Sequence, residues 1–161
     1  MSYFDNPEKQ YPENKILNPP EHVKYEIKII LDFLKLKKIN QVIDFGAGTG
    51  RLTIPLLRNN IKTMAVDISK ESLKKLINLA KKIKKNKYLK TASSLSKEKT
   101  TAIVGADILH HINIKKYFNL FKKKINKNGI IIFFEPNFLN PSWLFFITLF
   151  SDWREEKRII F

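Results

Sequence analysis

Apolar and polar positions along this 161-residue chain follow two rhythms that take turns. Val23, Ile27, Ile30, Leu31 and Leu34 recur at helical spacing with Lys and Glu between them, which predicts a helix with one apolar stripe. Gln41 to Phe45 then reads as a short strand. Leu52, Ile54, Leu56 and Leu57 predict a second helix that starts inside a glycine-rich turn and runs to Asn59 and Asn60, with Pro55 tolerated near its first turn. Lys62 to Val66 is a second strand. Ser69 opens a third helix whose buried face is Leu73, Leu76, Ile77, Ala80 and Ile83. Residues 88–92 and 100–105 read as strands three and four, and Ile114, Tyr117, Phe118, Phe121 and Ile125 mark a fourth helix. Asn126-Lys127-Asn128-Gly129 predicts a stop. The unbroken apolar run 130–134 is the pattern of a strand buried on both faces. Strands alternating with helices through right-handed crossovers give an α/β fold, a parallel sheet with helices on both faces. Residues 1–20 are polar and carry Pro7, Pro12, Pro19 and Pro20, which predicts an arm or lid ahead of a domain over 21–161.

The junction of strand one and helix two carries the chemistry. Val42-Ile43-Asp44-Phe45-Gly46-Ala47-Gly48-Thr49-Gly50-Arg51 turns an apolar run into a glycine-rich loop, and about twenty residues later the second strand ends in Asp67. Glycines without Cβ atoms let the backbone turn sharply and let a ligand lie against it. Asp67, at a strand tip, is placed to accept hydrogen bonds from a ribose diol. A dinucleotide loop of the form G-x-G-x-x-G would need its third glycine at position 51, where Arg51 stands. Asp44, two residues before the first glycine, would repel a pyrophosphate and attract a cation.

Asp44-Phe45-Gly46-Ala47-Gly48-Thr49-Gly50 together with Asp67 resembles motifs I and II of the class I S-adenosylmethionine-dependent methyltransferases. The resemblance implies a Rossmann-like sheet in the order 3-2-1-4-5 with its pocket at the carboxyl ends of strands one, two and four. It further implies that Asp44 attracts the cofactor's ammonium group, that Gly46, Ala47, Gly48 and Gly50 pass beneath the cofactor, and that Asp67 holds the ribose. Ile68 would flank the adenine, and backbone around Gly105 and Ala106 would close the amino-acid end. Where the family usually places an acidic or amide group at the end of strand three, this chain has Thr91-Ala92-Ser93-Ser94, so Ser93 is the adenine candidate. S-adenosylhomocysteine would be the product. Ala106-Asp107-Ile108-Leu109-His110-His111-Ile112 occupies the place of motif IV, Lys127-Asn128-Gly129 that of an altered turn before strand five, and Glu135-Pro136-Asn137 resembles a signature of small-molecule members. The family's antiparallel hairpin of strands six and seven has no counterpart after Glu135, so the chain reads as shortened at its C-terminus. The edge of strand five would then be covered by the aromatic segment 143–150, with Trp143 and Phe150 at its ends, or by a second copy in a homodimer.

An oxygen acceptor must lose a proton, and His110 and His111 are the imidazoles near the cleft. Adjacent residues leave the backbone in different directions, so at most one faces the acceptor. The alternative is that one packs under the arm and the other is solvated. Glu135 either orients substrate or caps the following segment, and Asp107 reads as a turn residue. The three histidines, with His22 distant from the pair, form no metal site. Asn18-Pro19-Pro20-Glu21 has the outline of a base-stacking N-P-P-aromatic element, but Glu21 stands where the aromatic belongs, and a kinked linker is the simpler reading.

Net charge is +15, almost entirely from lysine, and the chain contains no cysteine. Without cysteine there is no disulfide, thiolate metal site or covalent carbon-5 pyrimidine methylation. Much of the lysine falls on solvent-facing helix positions in a chain also rich in Ile and Asn, so a solvated face is favoured over a nucleic-acid surface or an anionic membrane contact. The first residues have no basic-then-apolar leader, and segment 143–150 is far shorter than the roughly 20 residues of a bilayer span, which predicts a cytoplasmic protein. The leading expectation is methyl transfer from S-adenosylmethionine to a small-molecule acceptor, on oxygen. The alternatives are an RNA methyltransferase working through its lysines, and a non-catalytic cofactor-binding fragment. Segment 143–150 could also grip an apolar acceptor or touch a membrane surface.

Overall fold

The computed structural model describes residues 10–95 and 99–135. Five parallel strands pair in the order β3-β2-β1-β4-β5, the order expected. They are β1 (Gln41–Phe45), β2 (Lys62–Val66), β3 (Leu89–Ala92), β4 (Thr100–Ala106) and β5 (Ile125–Phe134). The helices are α1 (Glu13–Leu17), α2 (Glu21–Leu36), α3 (Thr53–Arg58), α4 (Lys70–Lys82) and α5 (Ile114–Lys124). Side chains alternate across each strand and so sort the core into layers. Val42, Ala102 and Val104 pack against the α2 stripe of Val23, Ile27, Ile30 and Leu34. Ile43, Phe45 and Ile103 point the other way, onto Phe121 of α5. A third cluster joins α3 and α4 through Ile54, Leu57, Leu73 and Leu76.

Local caps agree with the sequence pattern. Ser69 Oγ accepts from Ser72 N at the start of α4, and Asn113 Oδ1 does the same for Lys116 N at the start of α5. Two boundaries differ. Within the proline-bearing N-terminal stretch, α1 inserts Ile16 into the α3–α4 cluster, where it is fully buried. Asn126 to Gly129 also does not precede strand five but bulges out of it. Ile125 pairs with Thr100 and Ile130 with Ala102, so the extra residues loop out between two paired positions. Asn128 there takes φ 67°, and Gly129 packs so closely on Ile125 and the Thr101 carbonyl that a Cβ would not fit. Expectations about a hairpin, a covered strand edge, a homodimer contact and the aromatic segment 143–150 concern residues outside the described ones. Among the described residues β5 forms one edge of the sheet, and no helix is long and apolar enough to cross a membrane.

Candidate functional site

Parallel pairing brings the carboxyl ends of all five strands to one edge, and the strand-to-helix loops meet there. Gly46 (φ 77°), Gly48 (φ 50°) and Gly50 (φ 111°) all adopt backbone conformations that other residues avoid. The resulting loop is pinned to β2. Gly46 N and Ala47 N both donate to the Val66 carbonyl, Gly48 N donates to Asp67 Oδ2 at 2.7 Å, and Ser69 N donates to Asp67 Oδ1 at 2.8 Å. Two of the roughly four acceptor positions of the Asp67 carboxylate are thereby used, which leaves capacity for a diol.

A cleft of about 520 Å³ opens beside this loop. Gly46, Asp67, Ile68, Ser93 and His111 line it together with Tyr117. Ile68 is 68% exposed. Five of the eleven residues singled out by sequence therefore share one cavity.

The others sit behind or beside it. Asp44 lies on the face of β1 opposite to Phe45 and is 1% exposed, with Thr53 Oγ1 of α3 donating to its Oδ2 at 2.6 Å. Burial pushes the Asp44 carboxyl up to about 7, the Thr53 hydrogen bond works against that rise, and the negative charge of Asp67 adds to it. Ala47 is buried against α4. Gly50 has α4 where its side chain would be, since a Cβ would lie 2.6 Å from Leu76 Cδ1. Gly105 gives its space to the Phe133 ring and the Phe45 carbonyl, so its missing side chain serves strand packing. Gly48 contributes its amide to Asp67, and a Cβ there would meet nothing within 4 Å.

The two histidines separate as adjacent residues must. His111 lines the cleft, while His110 Nδ1 lies 2.7 Å from Glu135 Oε2, and the two rings are 4.0 Å apart between centroids. Burial pulls the His111 imidazole down to about 4, the neighbouring His110 pulls the same way, and Glu135 opposes both, so His111 is neutral at pH 7. Glu135 also accepts from the backbone N–H groups of Ile108 and Leu109 through Oε1, at 2.9 and 2.8 Å. Burial works to raise this carboxyl, but the His110 hydrogen bond and the two backbone donors outweigh it and hold Glu135 below its ordinary range. Glu135 thus clamps the short 3-10 turn Leu109–His111 that presents His111.

A second connection escaped the sequence reading. Arg51, in the glycine loop, pairs with Glu26 of α2 and with Asp107 after β4, and its guanidinium lies 5.5 Å from the Tyr11 ring centroid. Asp107 is a turn residue as expected, with φ 54° and its N–H on the Phe134 carbonyl, and its carboxylate holds Arg51. Thr49 Oγ1 donates to the Tyr11 carbonyl, so the N-terminal stretch is tied to the same loop. No spacing in the sequence announces contacts between residues this far apart. Among the described residues no group of three or more His, Asp or Glu could hold a metal ion.

Comparison with known proteins agrees with this architecture. A family model described as a methyltransferase domain matches residues 20–158. The chain is 30% identical over 132 residues to the ubiquinone biosynthesis O-methyltransferase of Pelagibacter ubique (strain HTCC1062), covering 80% of this chain and 55% of that protein. It is 32% identical over 95 residues to ribosomal RNA small subunit methyltransferase A of Wigglesworthia glossinidia brevipalpis, covering 59% of this chain and 30% of that one. The chain thus spans about half the length of the first relative and less of the second. Among solved structures, an S-adenosylmethionine-dependent methyltransferase from Clostridium acetobutylicum ATCC 824 superposes with a TM-score of 0.61 at 25% identity, over 74% of this chain and 53% of that one. The glycopeptide N-methyltransferase MtfA complexed with S-adenosylmethionine shares the fold, with a TM-score of 0.57 at 13% identity over 66% of this chain and 53% of that one.

Proposed function

The chain belongs to the methyltransferase domain family, and from that premise we propose that it binds S-adenosylmethionine in the 520 Å³ cleft and methylates an oxygen of a small-molecule acceptor. The observation that carries this reading is the meeting of Gly46, Asp67 and a neutral His111 in one cavity at the carboxyl ends of the strands. The cofactor would supply a methyl group already activated by its sulfonium, so the protein's work is to bind, orient and exclude water. The spare acceptor positions of Asp67 suit a ribose diol. Ile68 and Ser93 line the same cavity and suit one face and one edge of an adenine. Asp44 sits beneath the glycine loop, out of contact with the cavity, and in its ionised form, above about pH 7, would act on the cofactor's cation through the field. A neutral His111 can accept a hydrogen bond from an acceptor hydroxyl and orient its oxygen, and Glu135 and His110 hold the turn that carries it. Oxygen as the acceptor atom is supported by the named O-methyltransferases among the relatives.

The test is calorimetric titration with S-adenosylmethionine and S-adenosylhomocysteine, with NAD as control, followed by incubation of labelled S-adenosylmethionine with a panel of phenols and carboxylic acids. Micromolar binding of the two sulfur ligands alone, and label transfer that drops about 100-fold in His111→Gln, is the expected result. A folded sample that binds neither ligand would sink the reading.

A further inference from the structure

We propose that the amino-end edge of the sheet, opposite the cleft, is a docking surface for the phosphate backbone of RNA. The fold gathers lysines at the entries to the strands. The segments that enter the five strands lie at the strands' amino ends, and each carries an exposed lysine: Lys38 before β1, Lys62 at the start of β2, Lys87 before β3, Lys99 before β4 and Lys127 in the bulge of β5. Lys84 and Lys85 add to the β3 connection. No Asp or Glu lies in residues 35–41, 58–62, 81–89 or 122–129; the acids nearest the row are Glu98, beside Lys99 in the sequence, and Glu13 of α1, which pairs with Lys82.

At the opposite end the strand-to-helix segments 46–52, 67–69 and 107–113 contain no lysine, and their single arginine, Arg51, is paired with Glu26 and Asp107; the lysines there, Lys116 and Lys124, stand on α5 and line the cleft. The helix dipole favours cations in last turns, which accounts for Lys35, Lys81 and Lys122. It does not account for Lys62, Lys87, Lys99 and Lys127, which lie beyond the α-helices.

Neighbouring strands stand about 4.8 Å apart, so five lysines spread over roughly 20 Å form a row and not a cluster. A row of this kind follows a polyanionic strand. Asn40, Asn60, Asn86 and Asn128 stand among the lysines, and their amides can donate to phosphates. The Tyr88 ring lies under Lys85 and Lys87, at 5.7 and 5.2 Å, which adds an aromatic face of the sort single-stranded bases stack on. An interfacial membrane site would interleave several large apolar side chains with the cations, and along this row amides take those places except at the exposed Leu36 between Lys35 and Lys37. Because the row faces away from the cleft, it would locate the protein on RNA without delivering RNA to the reacting centre.

The experiment measures binding of a fluorescent 20-nucleotide oligouridine by anisotropy between 50 and 300 mM salt, beside sedimentation with vesicles containing 30% phosphatidylglycerol. Lys38→Glu/Lys62→Glu/Lys87→Glu is compared with Lys70→Glu/Lys74→Glu/Lys115→Glu, which makes the same charge change elsewhere, and with the milder Lys38→Gln/Lys62→Gln/Lys87→Gln. The edge variants should weaken RNA binding at least tenfold at 100 mM salt and flatten the log–log salt slope by about 2, at about 0.7 per lost single-strand phosphate contact, while the control variant changes affinity less than threefold. Equal weakening by both Lys→Glu sets, no RNA binding at 50 mM salt, or binding to vesicles alone would overturn the proposal.

Discussion

The Asp67 carboxylate at the tip of β2 accepts the Gly48 N–H at 2.7 Å, and this bond joins the glycine loop of one strand to the acid of the next. The same carboxylate holds Ser69 N through its other oxygen, so one side chain fixes the loop and the start of α4 together. Replacing Asp67 by Ala orphans two backbone donors, at a cost of about 1–3 kcal/mol. The expected outcome is a lower urea midpoint together with a loss of S-adenosylmethionine affinity of tenfold or more in calorimetry. An unchanged affinity would remove Asp67 from the ligand site and leave it a loop anchor only.

Gly46 and Gly48 should respond differently to alanine. Both have positive φ, which costs a residue with a Cβ about 1–2 kcal/mol. At Gly48 the new methyl meets open space, whereas at Gly46 it overlaps the Ile108 side chain. Overpacking adds about 1–3 kcal/mol, so Gly46→Ala should be the more destabilised in equilibrium denaturation. Pairing it with Ile108→Ala should recover part of the difference, since the two residues share the contact. Additive losses would mean that the loop moves aside.

Asp44 makes stability depend on pH in an unusual direction for a carboxylate. Its folded value of about 7 lies above the ordinary 3.8, so between those values the native state keeps a proton that the unfolded chain has released. The parent therefore loses stability as pH rises from about 4 to about 7 and changes little through this group above that window. Asp44→Asn keeps an acceptor for Thr53 and has no charge to bury. Thermal melts from pH 4 to 8 should show the variant gaining on the parent across the window, by on the order of a few kcal/mol at pH 8. A pH-independent difference between the two would contradict the buried titration.

Glu135 behaves in the opposite sense. Its folded value is held below 4.5, so its contribution is present above that pH and is lost as pH falls through the lowered value. Glu135→Gln should cost about 1.5–3 kcal/mol near neutrality, since charged hydrogen bonds to His110, Ile108 and Leu109 weaken, and the cost should shrink below pH 4. The His110 ring, held by Glu135 at 2.7 Å, should also change its chemical environment in the variant, which nuclear magnetic resonance of the ring protons at fixed pH would detect. Unmoved ring signals would separate Glu135 from the histidine turn.

The sequence by itself determined the architecture because the forces that set it are local and periodic. Apolar positions at helical spacing in Val23, Ile27, Ile30 and Leu34, and strand runs such as Val42 to Phe45, specify which elements form and which faces are buried. Glycines at alternate positions, followed by an acid at the next strand's end, fix a loop and a carboxylate at one sheet edge through chain connectivity alone. What only the tertiary structure decided are contacts between segments with no shared period. That Asp44 turns to Thr53 and away from the cleft follows from strand alternation combined with the placement of α3. That His111 and not His110 lines the cavity depends on Glu135, one strand over, clamping the turn. Arg51 finds Glu26 and Asp107 because two loops converge there on one face of α2. The row of lysines at the strand entries is likewise invisible in a linear count, since it arises only when parallel pairing sends the start of every strand to one end.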